Sequence, residues 1–203
     1  MKNYKILFAD LDGTLIKTKS GETFPKGIWD MEFWFEVLDA IKKMQPEYVF
    51  IVSNQGGIEK GLVNDFYFDK KFSFIVSAIE EYCGGYVRGN YCVYNDKEFI
   101  YRKPNIGMLN KLCNDYIEPT KEPISKDSCL MIGNVSGKER QWPDDTDKKT
   151  AENFGCDYMD VEDFVKFVNA EGYGVYCSKT MLEEEYPIPP NKWRYIYSGG
   201  YRF

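Results

Sequence analysis

Short apolar runs alternate along the chain with longer segments in which apolar residues recur at helical spacing. The runs at residues 4–9, 48–52 and 129–132 each end in acidic, polar or glycine residues, a pattern typical of buried strands that lead into loops. Residues 86–94 form a further stretch rich in side chains that favour β-structure. We therefore predict four strands, each with a loop at its carboxyl end.

Amphipathic segments between and after these strands predict five helices. Asp30 is predicted to cap the first helix, which ends before Pro46, and Asp65 to open the second, which stops at Gly84. The other three are predicted at residues 104–116, 147–154 and 161–169. Alternating strands and helices favour an α/β fold, a Rossmann-like parallel sheet with helices on both faces. Such sheets bind ligands beyond the carboxyl ends of their strands.

Residues 173–203 depart from this pattern, because they are rich in aromatic side chains and three prolines interrupt regular structure. We predict a globular domain at residues 1–172 and an aromatic C-terminal extension, residues 173–203, packed on it. Trp193 and Tyr195 of the extension could stack on an unpaired base. Alternatively, its aromatic side chains seal an exposed edge of the domain.

Composition narrows the chemistry that is available. The chain has 203 residues, 43% of them hydrophobic, which suits one domain with a full core. It has no histidine, which excludes Ser-His and Cys-His nucleophiles and most catalytic zinc sites and leaves carboxylates, lysines and a hard metal. The six cysteines form no CxxC pair, so we expect buried free thiols rather than a disulfide or zinc framework, and no zinc.

Charge and hydropathy limit the partners. The formal net charge of -6 argues against a protein that coats duplex DNA, because that mode needs many cation–phosphate contacts. Binding to a strand end needs few such contacts and stays open. No window approaches the roughly 18 consecutive apolar residues of a membrane span. We expect a soluble monomer without a signal peptide or membrane association, intracellular in the cytoplasm or nucleus.

The segment Asp-Leu-Asp-Gly-Thr-Leu puts Asp10 and Asp12 two residues apart, just past the first predicted strand. Two carboxylates this close repel each other unless a cation or a shared proton separates them, so a metal is the economical explanation. An acidic turn without a function is the alternative.

Three later segments weaken that alternative. Ser53 and Asn54 follow the second strand, Arg102 and Lys103 follow the third, and the fourth is followed by Gly133-Asn134, with Asp147 opening the next helix. In a parallel sheet these positions meet at one edge. A carboxylate can approach an anionic phosphate only if a metal ion and a lysine screen the repulsion, and this set contains the residue types for both.

This ordered set, over residues 6–165, resembles that of the haloacid dehalogenase superfamily. The resemblance implies a fold of that type with a small cap or none. It also implies that Asp10 attacks the phosphoryl group and that Asp12 protonates the leaving oxygen and later deprotonates water. Lys103 is implied to neutralise charge between the nucleophile and the phosphate. The residues expected to bind phosphate or substrate are Thr14, Ser53, Asn54 and Arg102.

The same resemblance implies a Mg²⁺ cofactor, held by Asp10, the Asp12 backbone carbonyl, Asn134 and Asp147. The fourth motif of the superfamily is usually Gly-Asp, whereas this chain has Gly133-Asn134. An Asn oxygen is neutral and should hold Mg²⁺ more weakly than an Asp carboxylate.

Three explanations of Asn134 stay open: an active natural variant, a substitution introduced to inactivate the protein, or a pseudo-enzyme. Asp144 or Asp145 could compensate for the missing charge.

Within the superfamily, the chain is most similar to the phosphatase domain of polynucleotide kinase 3'-phosphatase. The similar features are residues 18–21 with 24–25, Ser53-Asn54-Gln55 with 57–58, Tyr101-Arg102-Lys103-Pro104 with 107–108, and 133–137 followed by Trp142. The similarity implies hydrolysis of 3'-terminal phosphates of nucleic-acid strands, DNA above all, through an aspartyl-phosphate during strand-break repair. The GxxxxGK[ST] loop of a kinase does not occur, so we expect no 5'-phosphorylation.

Two alternatives remain. One is a small-molecule phosphatase of the histidinol-phosphate or heptose-bisphosphate type, which shares the Asn-Gln-Gly-Ile and Lys-Pro elements but commonly carries a Cys/His zinc loop. The other is a catalytically weakened module that binds nucleic-acid ends, which the neutral Asn134 would explain.

Overall fold

A five-stranded parallel sheet forms the centre of the computed structural model, which describes residues 2–21, 28–117, 125–134 and 145–170. The strands in chain order are β1 (Ile6–Ala9), β2 (Ile16–Thr18), β3 (Met31–Phe33), β4 (Tyr48–Asn54), β5 (Tyr86–Cys92), β6 (Cys129–Gly133) and β7 (Asp157–Asp160). The sheet order is β5-β4-β1-β6-β7, and β2 and β3 form a separate antiparallel pair. The predicted parallel α/β fold is confirmed.

Helices cover both faces of this sheet. They are α1 (Phe35–Met44), α2 (Asp65–Cys83), α3 (Gly107–Tyr116), α4 (Thr146–Phe154) and α5 (Val161–Ala170). Successive residues of β1 point to opposite faces: Leu7 packs with α1, α2 and α5, whereas Phe8 packs with α3 and α4. Burial on both faces explains why the central strands are continuous apolar runs.

The first predicted helix is wrong at its start. Asp30 ends a 3-10 turn, Ile28–Asp30, and its carboxylate accepts hydrogen bonds from the Ser20 backbone N–H at 2.7 Å and from the Ser20 hydroxyl at 2.8 Å. Residues 31–33 pair with β2, so α1 begins only at Phe35. Over so short a run, the apolar residues that suggested a helix fit both helical spacing and the alternation of a strand. The pairing with β2 decides in favour of the strand.

The other predicted helices lie close to their predicted positions. The cap of α2 is Asn64 rather than Asp65, since the Asn64 side chain accepts a hydrogen bond from the Tyr67 backbone N–H at 3.2 Å. Strand β7 was not predicted. Its sequence, Asp-Tyr-Met-Asp, has no apolar run because the strand lies at the sheet edge and is only half-buried.

The described cysteines are free thiols, as expected: Cys83, Cys92, Cys113 and Cys129 are buried, and Cys156 is half-buried. Cys177 and the whole predicted extension, residues 173–203, lie outside the described residues, so the extension stays a prediction. No helix in the part of the chain described here is long and apolar enough to cross a membrane.

Candidate active site

A tight turn after β1 brings Asp10 and Asp12 to the carboxyl edge of the sheet. The Asp10 backbone N–H bonds the Ile132 carbonyl at 3.1 Å, which continues the pairing with β6. The Leu11 carbonyl then accepts from Leu15, and Gly13 has a φ of 78°, a conformation that favours glycine. Each Asp is only 9% exposed. Two buried carboxylates therefore share one small region.

Lys103 supplies the positive charge that this region needs. Its Nζ donates to Asp10 Oδ1 at 2.7 Å, to Asp147 Oδ1 at 2.6 Å and to the Val52 carbonyl at 2.8 Å. Burial by itself would lower the pKa of Lys103, but the Asp10 and Asp147 carboxylates outweigh it and hold that pKa above its usual range. The ammonium thus stays charged between two carboxylates from different strand ends.

Asn54 fixes the backbone of Lys103. Its side-chain Nδ2 donates to the Lys103 carbonyl at 3.0 Å, and its Oδ1 accepts from the Lys103 N–H at 3.0 Å. The Lys103-Pro104 peptide bond is cis. Asn54, which was expected to contact phosphate, therefore orients the lysine in this structure, and phosphate binding by its amide stays a prediction.

Gly133 makes room for Asp147 beside the end of β6. A Cβ at position 133 would lie 2.3 Å from Asp147 Oδ2, closer than any real contact. Asp147 lies in the first turn of α4 and is 8% exposed. Glycine is thus needed at position 133 so that Asp147 can approach the end of β6.

Gln55 holds Asp12, and sequence reasoning gave it no function. Its Nε2 donates to Asp12 Oδ2 at 2.6 Å and to Ser53 Oγ at 2.9 Å, and the residue is 7% exposed. Ser53 and Gln55 are two positions apart on an extended segment, so they point the same way. That spacing within the Ser-Asn-Gln motif is the sequence signal that could have assigned Gln55 to the site.

Burial raises the pKa of Asp12, and the Asp10 charge adds to the rise. Lys71, Gln55 and Lys103 oppose it, and Lys71 has the largest effect of the three. A carboxyl with a raised pKa holds its proton more readily, which suits a general acid.

The other predicted site residues are less closely tied to this cluster. Thr14 is fully buried, and its Oγ1 has no hydrogen-bond partner among the described residues. The Arg102 guanidinium donates to the Tyr94 carbonyl at 2.8 Å, and Asn134 is half-buried directly after β6. Asp145 pairs with Lys149 at 2.9 Å on the exposed side of α4, and Asp144 lies outside the described residues.

A family model described as polynucleotide kinase 3 phosphatase matches residues 5–165, most of the chain and every residue of this cluster. The chain belongs to the polynucleotide kinase 3 phosphatase family. The parallel sheet, with the acidic cluster at its carboxyl edge, has the HAD-like fold.

One relative is the bifunctional polynucleotide phosphatase/kinase of Schizosaccharomyces pombe. It is 31% identical over 166 residues, which are 80% of this chain and 38% of that protein. The chain therefore corresponds to well under half of the length of this relative.

Two solved structures share the fold. The D,D-heptose 1,7-bisphosphate phosphatase from B. bronchiseptica, crystallised with magnesium and phosphate, has a TM-score of 0.56 at 20% identity, covering 76% of this chain and 78% of its own. A Mesorhizobium loti protein described as a HAD-like phosphatase has a TM-score of 0.58 at 16% identity, covering 84% and 88%. These likenesses support the HAD-like fold.

The oxygen atoms at this edge fit a hard divalent cation. Asp10 and the Asp12 carbonyl follow β1, and Asn134 and the buried Asp147 lie beside the end of the adjacent β6, so four oxygen donors come from neighbouring chain segments. Mg²⁺ prefers such oxygen ligands. Among the described residues no group of three or more Cys, Asp or Glu is placed as a ready-made metal cage. A magnesium ion here would rely on carbonyl and amide oxygens as well.

Proposed function

We propose that this chain is a magnesium-dependent polynucleotide 3'-phosphatase that forms an aspartyl-phosphate on Asp10. The observation that carries the proposal is the Lys103 ammonium between the Asp10 and Asp147 carboxylates, beside a buried Asp12. This arrangement has a nucleophile, a cation to receive phosphate charge and a second carboxyl for proton transfer.

In the first step an Asp10 carboxylate oxygen attacks phosphorus. A bond forms between that oxygen and phosphorus, and the bond from phosphorus to the 3'-oxygen of the strand breaks. The leaving oxygen takes the proton of Asp12, which Gln55 holds by the hydrogen bond to Oδ2. The Lys103 ammonium reduces the repulsion between Asp10 and the incoming phosphate.

In the second step water attacks the phosphorus of the aspartyl-phosphate. Asp12, now ionised, accepts a proton from that water, and the bond between phosphorus and the Asp10 oxygen breaks. Inorganic phosphate leaves, and both aspartates return to their starting states. A bound Mg²⁺, held by Asp10, the Asp12 carbonyl, Asn134 and Asp147, would neutralise phosphoryl charge in both steps.

The choice of substrate rests on the family and on charge. The family and the S. pombe relative are both named for polynucleotide phosphatase activity. A chain with a net charge of -6 suits contact with one strand end better than an extended duplex. We propose 3'-phosphorylated DNA ends as substrate and the repair of blocked strand breaks as the setting, inside the cell.

The test is release of inorganic phosphate from a 3'-phosphorylated oligodeoxynucleotide by the purified chain. We expect release that requires Mg²⁺, stops with Asp10→Asn and is far slower from the same strand phosphorylated at its 5'-end. Histidinol phosphate and heptose bisphosphate serve as comparison substrates. Turnover of either, with none of the oligonucleotide, would show that the substrate assignment is wrong.

A further inference from the structure

Asn95, in the loop between β5 and α3, joins that loop to the one that follows β4. Its side-chain Nδ2 donates to the Gly56 carbonyl at 2.7 Å and to a Glu59 carboxylate oxygen at 2.9 Å, and its backbone N–H donates to the same carboxylate oxygen at 2.7 Å. Both side-chain partners are acceptors, so the NH₂ end of the amide must face them. Three hydrogen bonds therefore fasten together two loops that are 36 to 39 positions apart in the chain.

Gly56 leaves the space that this contact needs. A Cβ at position 56 would overlap the Asn95 side-chain amide. Gly56 does not have a positive φ, so its backbone conformation does not itself require glycine. Room for Asn95, rather than backbone conformation, therefore explains the glycine.

These bonds hold Gln55 from both sides. The Gln55 backbone N–H donates to the Cys92 carbonyl at 2.7 Å, at the end of β5, and Asn95 holds the carbonyl of the next residue, Gly56. The Gln55 side chain donates to Asp12 Oδ2 at 2.6 Å. The end of β5 and the loop after it therefore fix the backbone from which Gln55 reaches Asp12.

A second asparagine of the same loop has a purely local role. Asn105 Nδ2 donates to the Lys97 carbonyl at 2.8 Å and to the Phe99 carbonyl at 3.0 Å, and both carbonyls belong to the loop between β5 and α3. The two asparagines therefore form a matched pair. Asn105 fastens its own loop, whereas Asn95 fastens the loop that carries Gln55.

We propose that Asn95 is a positioning residue for the first chemical step and acts through Gln55 on the Asp12 carboxyl. This inference rests on the proposed function, in which Asp12 gives its proton to the leaving 3'-oxygen. A proton donor must lie within hydrogen-bond reach of the accepting oxygen, and small displacements slow the reaction steeply. Asn95 holds Gly56, and with it Gln55, at the position from which the Gln55 amide orients Asp12.

The test compares two oligodeoxynucleotides with a terminal 3'-phosphate, one with the natural bridging 3'-oxygen and one with sulfur in its place. Sulfur leaves as a thiolate and needs the proton of Asp12 far less than oxygen does. For Asn95→Ala we expect kcat/KM to fall about tenfold for the oxygen substrate and less than about twofold for the sulfur substrate. A variant that only loosens the fold would slow both substrates alike, and that result would overturn the proposal.

A double-mutant cycle tests whether Asn95 acts through Gln55. Adding Asn95→Ala to Gln55→Leu should cause no further loss of kcat/KM for the oxygen substrate, because the side chain that Asn95 positions is already gone. Asn105→Ala is the control, and any loss that it causes should recur in full in the Gln55→Leu background. Additive losses for Asn95→Ala would refute the inference. If Asn95→Ala does not fold, Gly56→Ala replaces it, because the added methyl group displaces the same amide.

A failure of the proposed function is distinguishable from a failure of this inference, because the Gln55 side-chain amide can be observed without a substrate. Its ¹H–¹⁵N NMR signals, assigned by their loss in Gln55→Leu, should shift in Asn95→Ala and stay in place in Asn105→Ala. If the wild-type chain releases no phosphate from the oligonucleotide but the signals shift in this way, the function is wrong and the positioning of Gln55 is retained. Signals that do not move in Asn95→Ala would refute the positioning, whatever the substrate.

Discussion

Lys103 and Asp10 are 93 positions apart in the chain, and their side chains form an ion pair of 2.7 Å. Both side chains are buried, and the same ammonium also pairs with Asp147. An acidic turn without a function would need no buried lysine from a distant segment. The pairing therefore favours a charged reaction centre.

Lys103→Met should lower kcat for 3'-phosphate release by about a hundredfold or more, since it removes the cation that faces the phosphoryl charge. It also leaves two buried carboxylates without their partner, which should cost about 3–5 kcal/mol of unfolding free energy. Activity assays and urea unfolding measure the two effects. Lys111→Met, which removes an exposed surface pair with Asp115, is the control and should change neither by much.

Gln55→Leu should move the basic limb of the pH profile of kcat/KM to higher pH. Gln55 donates to the Asp12 carboxylate and so favours its charged form, which lowers the pKa of Asp12. Without that bond the pKa of Asp12 rises further, and the protonated acid needed in the first step persists to higher pH.

Gln55→Glu supplies the second point in that series. It places a carboxyl where the amide was, so any negative charge there raises the pKa of Asp12 still more. The pH of the basic limb should rise from wild type to Gln55→Leu and again to Gln55→Glu. An unchanged limb in both variants would argue against Asp12 as the acid.

Gly133→Ala should weaken the activation by Mg²⁺ and also lower the stability of the fold. The added methyl group would meet Asp147 Oδ2 at 2.3 Å and must displace that carboxylate from Lys103. We expect a loss of about 1–3 kcal/mol in unfolding free energy and a higher Mg²⁺ concentration for half-maximal activity.

Gly155→Ala is the comparison variant for that substitution. Gly155 has a φ of 84°, and a Cβ there would meet nothing within 4 Å. Alanine at this position strains the backbone without touching the acidic cluster, so stability should fall and the Mg²⁺ requirement should not move. Equal Mg²⁺ requirements in both variants would contradict the proposal that Asp147 holds Mg²⁺.

Asn134→Asp should lower the Mg²⁺ concentration for half-maximal activity, by about tenfold, because a carboxylate binds a hard cation more strongly than a neutral amide oxygen. Phosphate release measured over a series of limiting Mg²⁺ concentrations gives this value for each variant. Asn134→Ala, which removes the oxygen, should raise the requirement. If the chain with Asn134 and its Asn134→Asp variant are both inactive yet bind 3'-phosphorylated ends, the end-binding module is the better description.

The sheet and most of the cluster could be predicted from local pattern alone. Strands β1, β4 and β6 are continuous apolar runs because both of their faces are buried, and that burial leaves a direct mark on the sequence. Asp10, Lys103 and Asp147 follow strands whose carboxyl ends must meet in a parallel sheet. Their convergence was therefore predictable before any distance was known.

Only the tertiary structure decided the contacts between distant segments, because no local sequence pattern predicts them. Asp30 is a plausible helix cap by type, yet its partner is Ser20, and the pairing of residues 31–33 with β2 removes the helix it would have capped. The burial of Lys71, whose charge opposes the rise in the pKa of Asp12, depends on how α2 packs against the sheet. Residue type and spacing determined which groups follow which strands, whereas charge pairing across the fold determined which of them Asp10 and Asp12 would meet.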